Sequence, residues 1–170
     1  KSFIFYRPKD IVSGDFYWFT AKDDNILFAA VDCTGHGVPG AFMSLIGNNI
    51  LGNLVHHRGI LDPSQILTEL HDGVVNALKK QDHDSETLDG MEIALCSYNL
   101  KTNVLEFASA RRPLLLITNN KPEVIKGGRF PIGLIIKGDR KYPTHTFKLK
   151  PNDTFYIFTD GYCDQFGGIG

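Results

Sequence analysis

The feature that most constrains the fold is a short apolar run that ends in a carboxylate and opens into a glycine-rich turn. Residues 28–31 are apolar, Asp32 follows them, and three glycines occur between positions 35 and 40. The run predicts a buried strand, and an ionised carboxylate at its end needs a cation or a metal ion beside it. Pro39 suits the first turn of a helix, so the pattern predicts a strand, a turn and a helix. A plainer alternative is that Asp32 only caps that helix.

Composition and charge narrow the class of protein. With 170 residues, 42% of them hydrophobic and 22% charged, the chain is an ordinary globular sequence, and we expect one domain over residues 1–170, cut from a longer regulatory protein. The net charge of -1 gives no reason to expect nucleic acid or an anionic membrane as the main partner. No apolar run is long enough to span a bilayer, and no signal-peptide pattern opens the sequence.

The cysteines indicate the compartment. Cys33, Cys96 and Cys163 are scattered and form no Cys-x-x-Cys pair. An odd, dispersed set argues against a disulfide framework or a zinc site and favours a reducing compartment. We therefore expect the protein in the cytoplasm, where it could also be the cytoplasmic part of a membrane-anchored sensor.

A second carboxylate is brought near Asp32 by a predicted hairpin. Ser13 and Gly14 allow a bend just before Asp15, and residues 23–25 are typical of a turn between two strands. Paired strands on either side of that turn would place Asp15 and Asp32 at the same open end.

The remaining pattern mixes helices and short strands. Apolar spacing predicts one helix from Ala41 to about Val55 and a second from Pro63 to about Lys80, with Asp62 as its N-cap. The polar residues 81–89 predict a mobile surface loop. Short runs of β-forming residues predict strands at 3–6, 91–98, 104–109, 114–118, 124–125, 146–149 and 153–158.

A third carboxylate repeats the opening pattern. The last apolar run ends at Asp160-Gly161, so Asp15, Asp32 and Asp160 each adjoin an apolar strand and lie close to glycine. Hard cations such as Mg²⁺ and Mn²⁺ prefer oxygen ligands. Three carboxylates and a carbonyl freed by a glycine turn suffice for a two-metal site that activates water and neutralises phosphate oxygens. Taken singly, each aspartate is also a common turn or cap residue.

At these residues the chain resembles a known family. It is similar to the metal-dependent PPM/PP2C-like serine/threonine phosphatases, in the bacterial branch of stage II sporulation protein E and the RsbU-type regulators. The matching stretches follow the family's order and span nearly the whole chain. They are residues 12–17, 32–41, 108–114, 131–133 and 158–161.

The resemblance implies a fold and a metal site. The fold is α+β, an α/β/β/α sandwich of two antiparallel sheets flanked by helices, C-terminally truncated, with a pair of Mn²⁺ or Mg²⁺ ions at one end. Asp32 would bridge the ions, the Cys33 carbonyl and Asp160 would be further ligands, and Asp15 would act directly or through metal-bound water. These three aspartates are the expected catalytic residues.

The resemblance also implies a substrate and a mode of control. The substrate would carry phosphoserine or phosphothreonine on a small anti-sigma-antagonist protein of the STAS type. Control would come from a sensor or helical linker fused upstream, and a homodimer is compatible with this arrangement.

Some residues depart from the family pattern. The family's closing Asp motif is absent before Gly170, so one metal position is expected to be weak or empty. His36 lies two residues further from Asp32 than the histidine of the eukaryotic relatives, so a general-acid role does not carry over to it. Thr34 stands where dehalogenase-type phosphatases carry a second Asp, which argues against an aspartyl-phosphate mechanism. Arg111-Arg112 is either a surface charge pair or a phosphate-orienting or docking site. A catalytically weak or inactive module that binds protein partners remains the alternative function.

Overall fold

A computed structural model describes residues 1–8, 12–35, 37–79, 89–135, 138, 140–162 and 164. In this part of the chain, a π-helical turn at Asn53–His57 continues the first helix, and a 3-10 turn at Asp160–Tyr162 follows the last strand. The regular elements are β1 (Phe16–Lys22), β2 (Asn25–Cys33), α1 (Gly37–Gly52), α2 (Pro63–Lys79), β3 (Met91–Asn99), β4 (Val104–Ala110), β5 (Leu114–Thr118), β6 (Lys121–Ile125), β7 (His145–Lys148) and β8 (Thr154–Ile157).

The strands form two antiparallel sheets. The larger has the order β1-β2-β3-β4-β7, and the smaller has the order β6-β5-β8. The predicted hairpin is present, with Phe16 opposite Val31 at its open end and Lys22 opposite Asn25 at its turn. The α+β class with two antiparallel sheets is therefore confirmed, and the hairpin register brings the residue before β1 to the end of β2.

The two faces of the larger sheet bury different partners. Ile93 and Leu95 of β3 pack in a core with the helices, whereas Ala94 and Cys96 pack in a core with the smaller sheet. Successive residues of a strand point to opposite faces, so β3 is buried on both sides. The described residues thus form helix, sheet and sheet layers, and they contain no helical layer outside the smaller sheet.

Both predicted helices are present. Helix α1 begins at Gly37, before the expected Ala41, and α2 spans Pro63–Lys79. The Gln65 N–H donates to Asp62 Oδ1 at 2.7 Å, which confirms Asp62 as the N-cap. None of the helices in the described part of the chain has the length and apolar character needed to cross a bilayer.

The predicted strand at residues 3–6 is wrong. Residues 1–8 form no strand, and the side chains of Phe3 and Phe5 are 76% and 73% exposed. Without a buried face, nothing fixes a strand register there. The segment is instead held by an aromatic contact between Tyr6 and Tyr17 and by the Tyr6 hydroxyl, which donates to the Asp15 carbonyl at 3.0 Å.

The bounds of β6 also differ from the prediction. Strand β6 begins at Lys121 rather than at Val124, because Asn119 and Asn120 both adopt positive φ angles and form a tight turn that pairs Thr118 with Lys121. The predicted loop at residues 81–89 falls outside the described residues except for its last position.

Replacing the cap of α2 tests this local structure. Asp62→Ala is expected to lower the free energy of unfolding by about 1 kcal/mol, because the Gln65 N–H loses its acceptor. Urea denaturation measures the loss. Asp62→Asn keeps an acceptor at the same place and should retain most of the stability, so equal losses in the two variants would contradict the capping role.

Candidate active site

Glycines bring three segments together at the open end of the hairpin. A Cβ atom added at Gly14 or Gly40 would lie 2.7 Å from the carbonyl oxygen of Gly35, and the one at Gly40 would also lie 3.0 Å from the Gly14 Cα. Side chains at these positions would collide with backbone, so only glycine permits the approach. As a result Asp15, next to Gly14, lies beside the end of β2, which carries Asp32.

The turn after β2 is fastened to the start of β3. The Thr34 N–H donates to the Gly90 carbonyl at 2.9 Å, and the Gly90 N–H donates to Thr34 Oγ1 at 2.7 Å. The β2–β3 register then places Glu92 directly opposite Asp32. Thr34 therefore has a structural role, and a fourth carboxylate joins the site.

The motif at residues 131–133 supports the same strand end. Ile132 exchanges two backbone hydrogen bonds with Met91, at 2.9 and 3.0 Å. The buried His71 of α2 accepts a hydrogen bond from the Gly133 N–H at Nδ1, at 3.1 Å. This stretch therefore holds the start of β3 in place, and His71 has a structural role.

The three predicted aspartates converge. Asp15 lies close enough to Asp32 for its charge to raise the Asp32 pKa, and Asp32 and Asp160 each lie 2.8 Å from the guanidinium of Arg112. Distant parts of the sequence thus deliver their carboxylates to one place. His36 lies outside the described residues.

Arg112 is the central cation of the site. Its side chain is 14% exposed, and its Nη2 atom lies 2.8 Å from Asp32, 2.5 Å from Glu92 and 2.8 Å from Asp160. The interpretation of this residue as part of a surface charge pair is wrong. Arg112 is drawn into the interior because the residues that flank its turn, Ala110 at the end of β4 and Leu114 at the start of β5, are fully buried.

Sequence reasoning also missed Glu92. A signal for it existed, since it is a lone charge within the apolar start of β3. Its importance depends on its position opposite Asp32, and that long-range register has no local signature.

The site carries an excess of negative charge. Burial, followed by the charges of Asp15 and Asp160, raises the pKa of Asp32 to about 7, although Arg112 acts in the opposite direction. For Arg112, burial alone would lower the pKa, but the hydrogen bond to Asp160 and the surrounding carboxylates raise it above its ordinary value. Such mutual shifts are common where groups are arranged to hold cations or to react.

Comparison with known proteins identifies the family. The family model described as stage II sporulation protein E matches residues 22–169. The chain belongs to the SpoIIE family. No curated protein matches it.

Solved structures share this fold. The SiaA-PP2C domain of Pseudomonas aeruginosa is 33% identical, with a TM-score of 0.84 over 98% of this chain. The RsbU and RsbW domains of a Mycobacterium tuberculosis protein are 21% identical, with a TM-score of 0.72 over 94% of this chain. The SpoIIE phosphatase domain of Bacillus subtilis is 17% identical, with a TM-score of 0.70 over 89% of this chain. The SpoIIE-family chain spans 63% of the Pseudomonas structure and 42% of each of the other two. The predicted PP2C-like family and fold are confirmed.

The donor set of this SpoIIE-family site fits a hard cation. Asp15 and Asp32 offer only oxygen ligands and repel each other, which a divalent ion would relieve. The Cys33 thiol is buried, and burial followed by the charges of Asp15 and Asp32 raises its pKa to about 12. The metal-free chain therefore keeps this thiol protonated, and the Cys33 carbonyl is the donor that suits a hard cation better.

The arrangement of these groups is not yet that of a metal cage. In the part of the chain that the structure describes, no three acidic, histidine or cysteine side chains are grouped so that they could hold one ion by themselves. The Arg112 guanidinium instead bonds to both Asp32 and Asp160. The ligand set of Asp15, Asp32, Cys33 and Asp160 stays a prediction.

The glycine contacts can be tested directly. Gly40→Ala is expected to lower the free energy of unfolding by about 1–3 kcal/mol, because its Cβ would force the backbone away from Gly35. Gly52→Ala is the matched control in α1, since nothing lies within 4 Å of its Cβ position, and it should be neutral or slightly stabilising. Thermal denaturation compares the two, and equal effects would contradict the close packing at Gly40.

The charge excess predicts a pH dependence. The pKa of Asp32 is about 7 in the folded chain and 3.8 unfolded, so its stabilising contribution is complete below pH 4 and is lost as the pH rises through 7. Asp32→Asn should therefore stabilise the protein by about 1–2 kcal/mol at pH 8 in chelator, and by much less at pH 4. Urea denaturation at both pH values measures the difference.

The matched control is Asp24→Asn at the turn end of the same hairpin, where the carboxylate is exposed and paired with Lys101 at 2.8 Å. This variant should show no such gain at pH 8. A gain for Asp32→Asn that does not depend on pH would mean that repulsion among the site carboxylates is not its cause.

Proposed function

We propose that this SpoIIE-family chain is a metal-dependent phosphoprotein phosphatase that hydrolyses phosphoserine and phosphothreonine. The observation that carries the proposal is the convergence of Asp15, Asp32 and Asp160 at one end of the larger sheet, with more negative charge than the local arginine neutralises. Membership of a PP2C-type phosphatase family supports the same reaction class.

The proposed cofactor is a pair of Mn²⁺ or Mg²⁺ ions. They would be held by Asp15, Asp32, Asp160 and the Cys33 carbonyl. When bound, such ions supply an activated water and neutralise phosphate oxygens. A related support is RsbX, solved in complex with magnesium, which is 18% identical with a TM-score of 0.60 over 90% of this chain.

The chain's own residues would orient the phosphate. Arg112 supplies a rigid fork of N–H donors beside Asp32, which is the geometry that phosphate oxygens accept best. Its Nε–H is buried without a hydrogen-bond partner in the described residues, so one donor at the site is still unused. Asp32 and Asp15 are acidic and would not bind the phosphate directly, so their role would be to hold the cations beside it, and the partly buried surroundings would strengthen these interactions.

We further propose the biological setting that the family resemblance implies. The substrate would be a small phosphorylated antagonist protein of the STAS type in bacterial signalling. The domain would act in the cytoplasm under the control of an upstream sensor or linker, and this arrangement is compatible with a homodimer. This setting is supported by the structures that share the fold, which include RsbU and RsbW domains and a protein of the bacterial stressosome.

A second candidate function is a regulator that binds protein partners without turnover. The observation that favours it is the Arg112 guanidinium between Asp32 and Asp160, which neutralises part of the charge that a metal ion would use.

The test is phosphate release from a phosphoserine protein in the presence of Mn²⁺. We expect turnover that is lost in chelator and reduced about 100-fold or more in Asp32→Asn, because the central carboxylate no longer holds the ions. Asp24→Asn is the control at the far end of the hairpin and should keep full activity. Activity that survives chelation, or a covalent phosphoenzyme, would indicate the aspartyl-phosphate class. No turnover in the full-length parent would favour the regulator.

A further inference from the structure

A basic groove opens next to the carboxylate site. It is a cavity of about 500 Å³ between the segment that leaves β4 and the end of β6. Its lining combines three cationic residues with an apolar surface that is larger than the polar one. The lining residues are Arg111, Pro113, Val124, Lys126, Gly127, Gly128 and Arg129.

Close backbone packing holds the two walls of the groove together. The Gly128 N–H donates to the Ser109 carbonyl at 2.8 Å, and the Arg111 N–H donates to the Gly128 carbonyl at 2.8 Å. A Cβ atom at Gly127 would lie 1.6 Å from Ser109 Oγ, so the pair of glycines allows this contact. The loop that carries Lys126 is therefore fixed beside Arg111.

The groove has a clear positive balance. Lys126 and Arg129 are exposed, and neither forms an ion pair with any acidic side chain that the structure describes. Arg111 is 54% exposed and shares Glu92 with Arg112, at 3.0 Å. Glu123 also lies on β6, but it alternates with the groove-lining Val124 and so points to the other face of the strand.

The groove continues directly into the carboxylate site. Arg111 and Arg112 are consecutive, and both contact Glu92, one through each carboxylate oxygen. Arg112 in turn bonds to Asp32 and Asp160. A peptide whose phosphate lies at Asp32 would reach the groove within a few residues, since an extended chain advances about 3.3 Å per residue.

We propose that this groove binds acidic side chains that flank the phosphorylated residue of the protein substrate, a role that rests on the proposed phosphatase function. Lys126, Arg129 and Arg111 supply the complementary charge, while Pro113 and Val124 contact the aliphatic part of the acidic side chains. A nucleic acid is the weaker fit, because the whole chain has a net charge of -1 and the basic surface is a single short groove.

The test compares two fluorescein-labelled phosphoserine peptides by fluorescence anisotropy, in chelator so that neither is hydrolysed. One carries Glu at the flanking positions on both sides, and the other carries Gln at the same positions. We expect the Glu peptide to bind about tenfold more tightly in low salt, and the advantage to shrink as salt is added. Lys126→Glu combined with Arg129→Glu should remove or reverse the advantage, and the Gln pair at the same positions should reduce it.

Lys126→Glu alone is compared with a matched control, Lys121→Glu, which makes the same single charge change on an exposed residue at the other end of β6. The control should leave the advantage of the Glu peptide intact. Equal binding of the two peptides, an equal effect of Lys121→Glu, or tighter binding of a single-stranded oligonucleotide than of the Glu peptide would overturn the proposal.

Hydrolysis of p-nitrophenyl phosphate with Mn²⁺ keeps this outcome separate from that of the phosphatase function. The substrate is too small to reach the groove, so the groove variants should turn it over at the wild-type rate. If the wild-type chain does not hydrolyse it, the phosphatase proposal fails, while the anisotropy comparison still decides whether the groove selects acidic peptides.

Discussion

The charge balance around Arg112 is the interaction on which the rest of the site depends. Four carboxylates, from Asp15, Asp32, Glu92 and Asp160, meet two guanidinium groups at one end of the larger sheet. With all four carboxylates ionised, two negative charges would be in excess, and a partly buried position makes such an excess costly. This cost is the physical reason why the site favours additional positive charge, whether from protons, a divalent ion or both.

The backbone makes this costly arrangement possible. Gly14, Gly35 and Gly40 allow three segments to touch, and the Thr34–Gly90 hydrogen bonds tie the turn to β3. These contacts hold the acidic side chains in place although they repel one another. Folding energy from the two cores on either side of β3 offsets the local repulsion.

Much of the fold could be predicted because its signals are local. The hairpin, both helices, the Asp62 cap and the convergence of the three aspartates follow from apolar spacing, turn residues and strand order. The roles of Arg112 and Glu92 could not be predicted, because each depends on which strands pair and in which register. The prediction of a strand at residues 3–6 failed because the local pattern is typical of a strand, but no neighbouring strand among the described residues pairs with this segment or buries it.

The position of β3 has a consequence for how the site accommodates a ligand. This strand is paired on both edges and buried on both faces, so its amide protons should be among the last to exchange with solvent. Glu92 lies on this strand, and Asp32 lies directly opposite it on the neighbouring strand β2. Asp160 instead begins a three-residue turn, and its side chain is 49% exposed. The carboxylates therefore differ in their support, since Glu92 and Asp32 lie on paired strands and Asp160 lies on a short turn that only its own neighbours brace. An incoming cation would meet two acceptors fixed by the sheet and one held chiefly by its ion pair with Arg112.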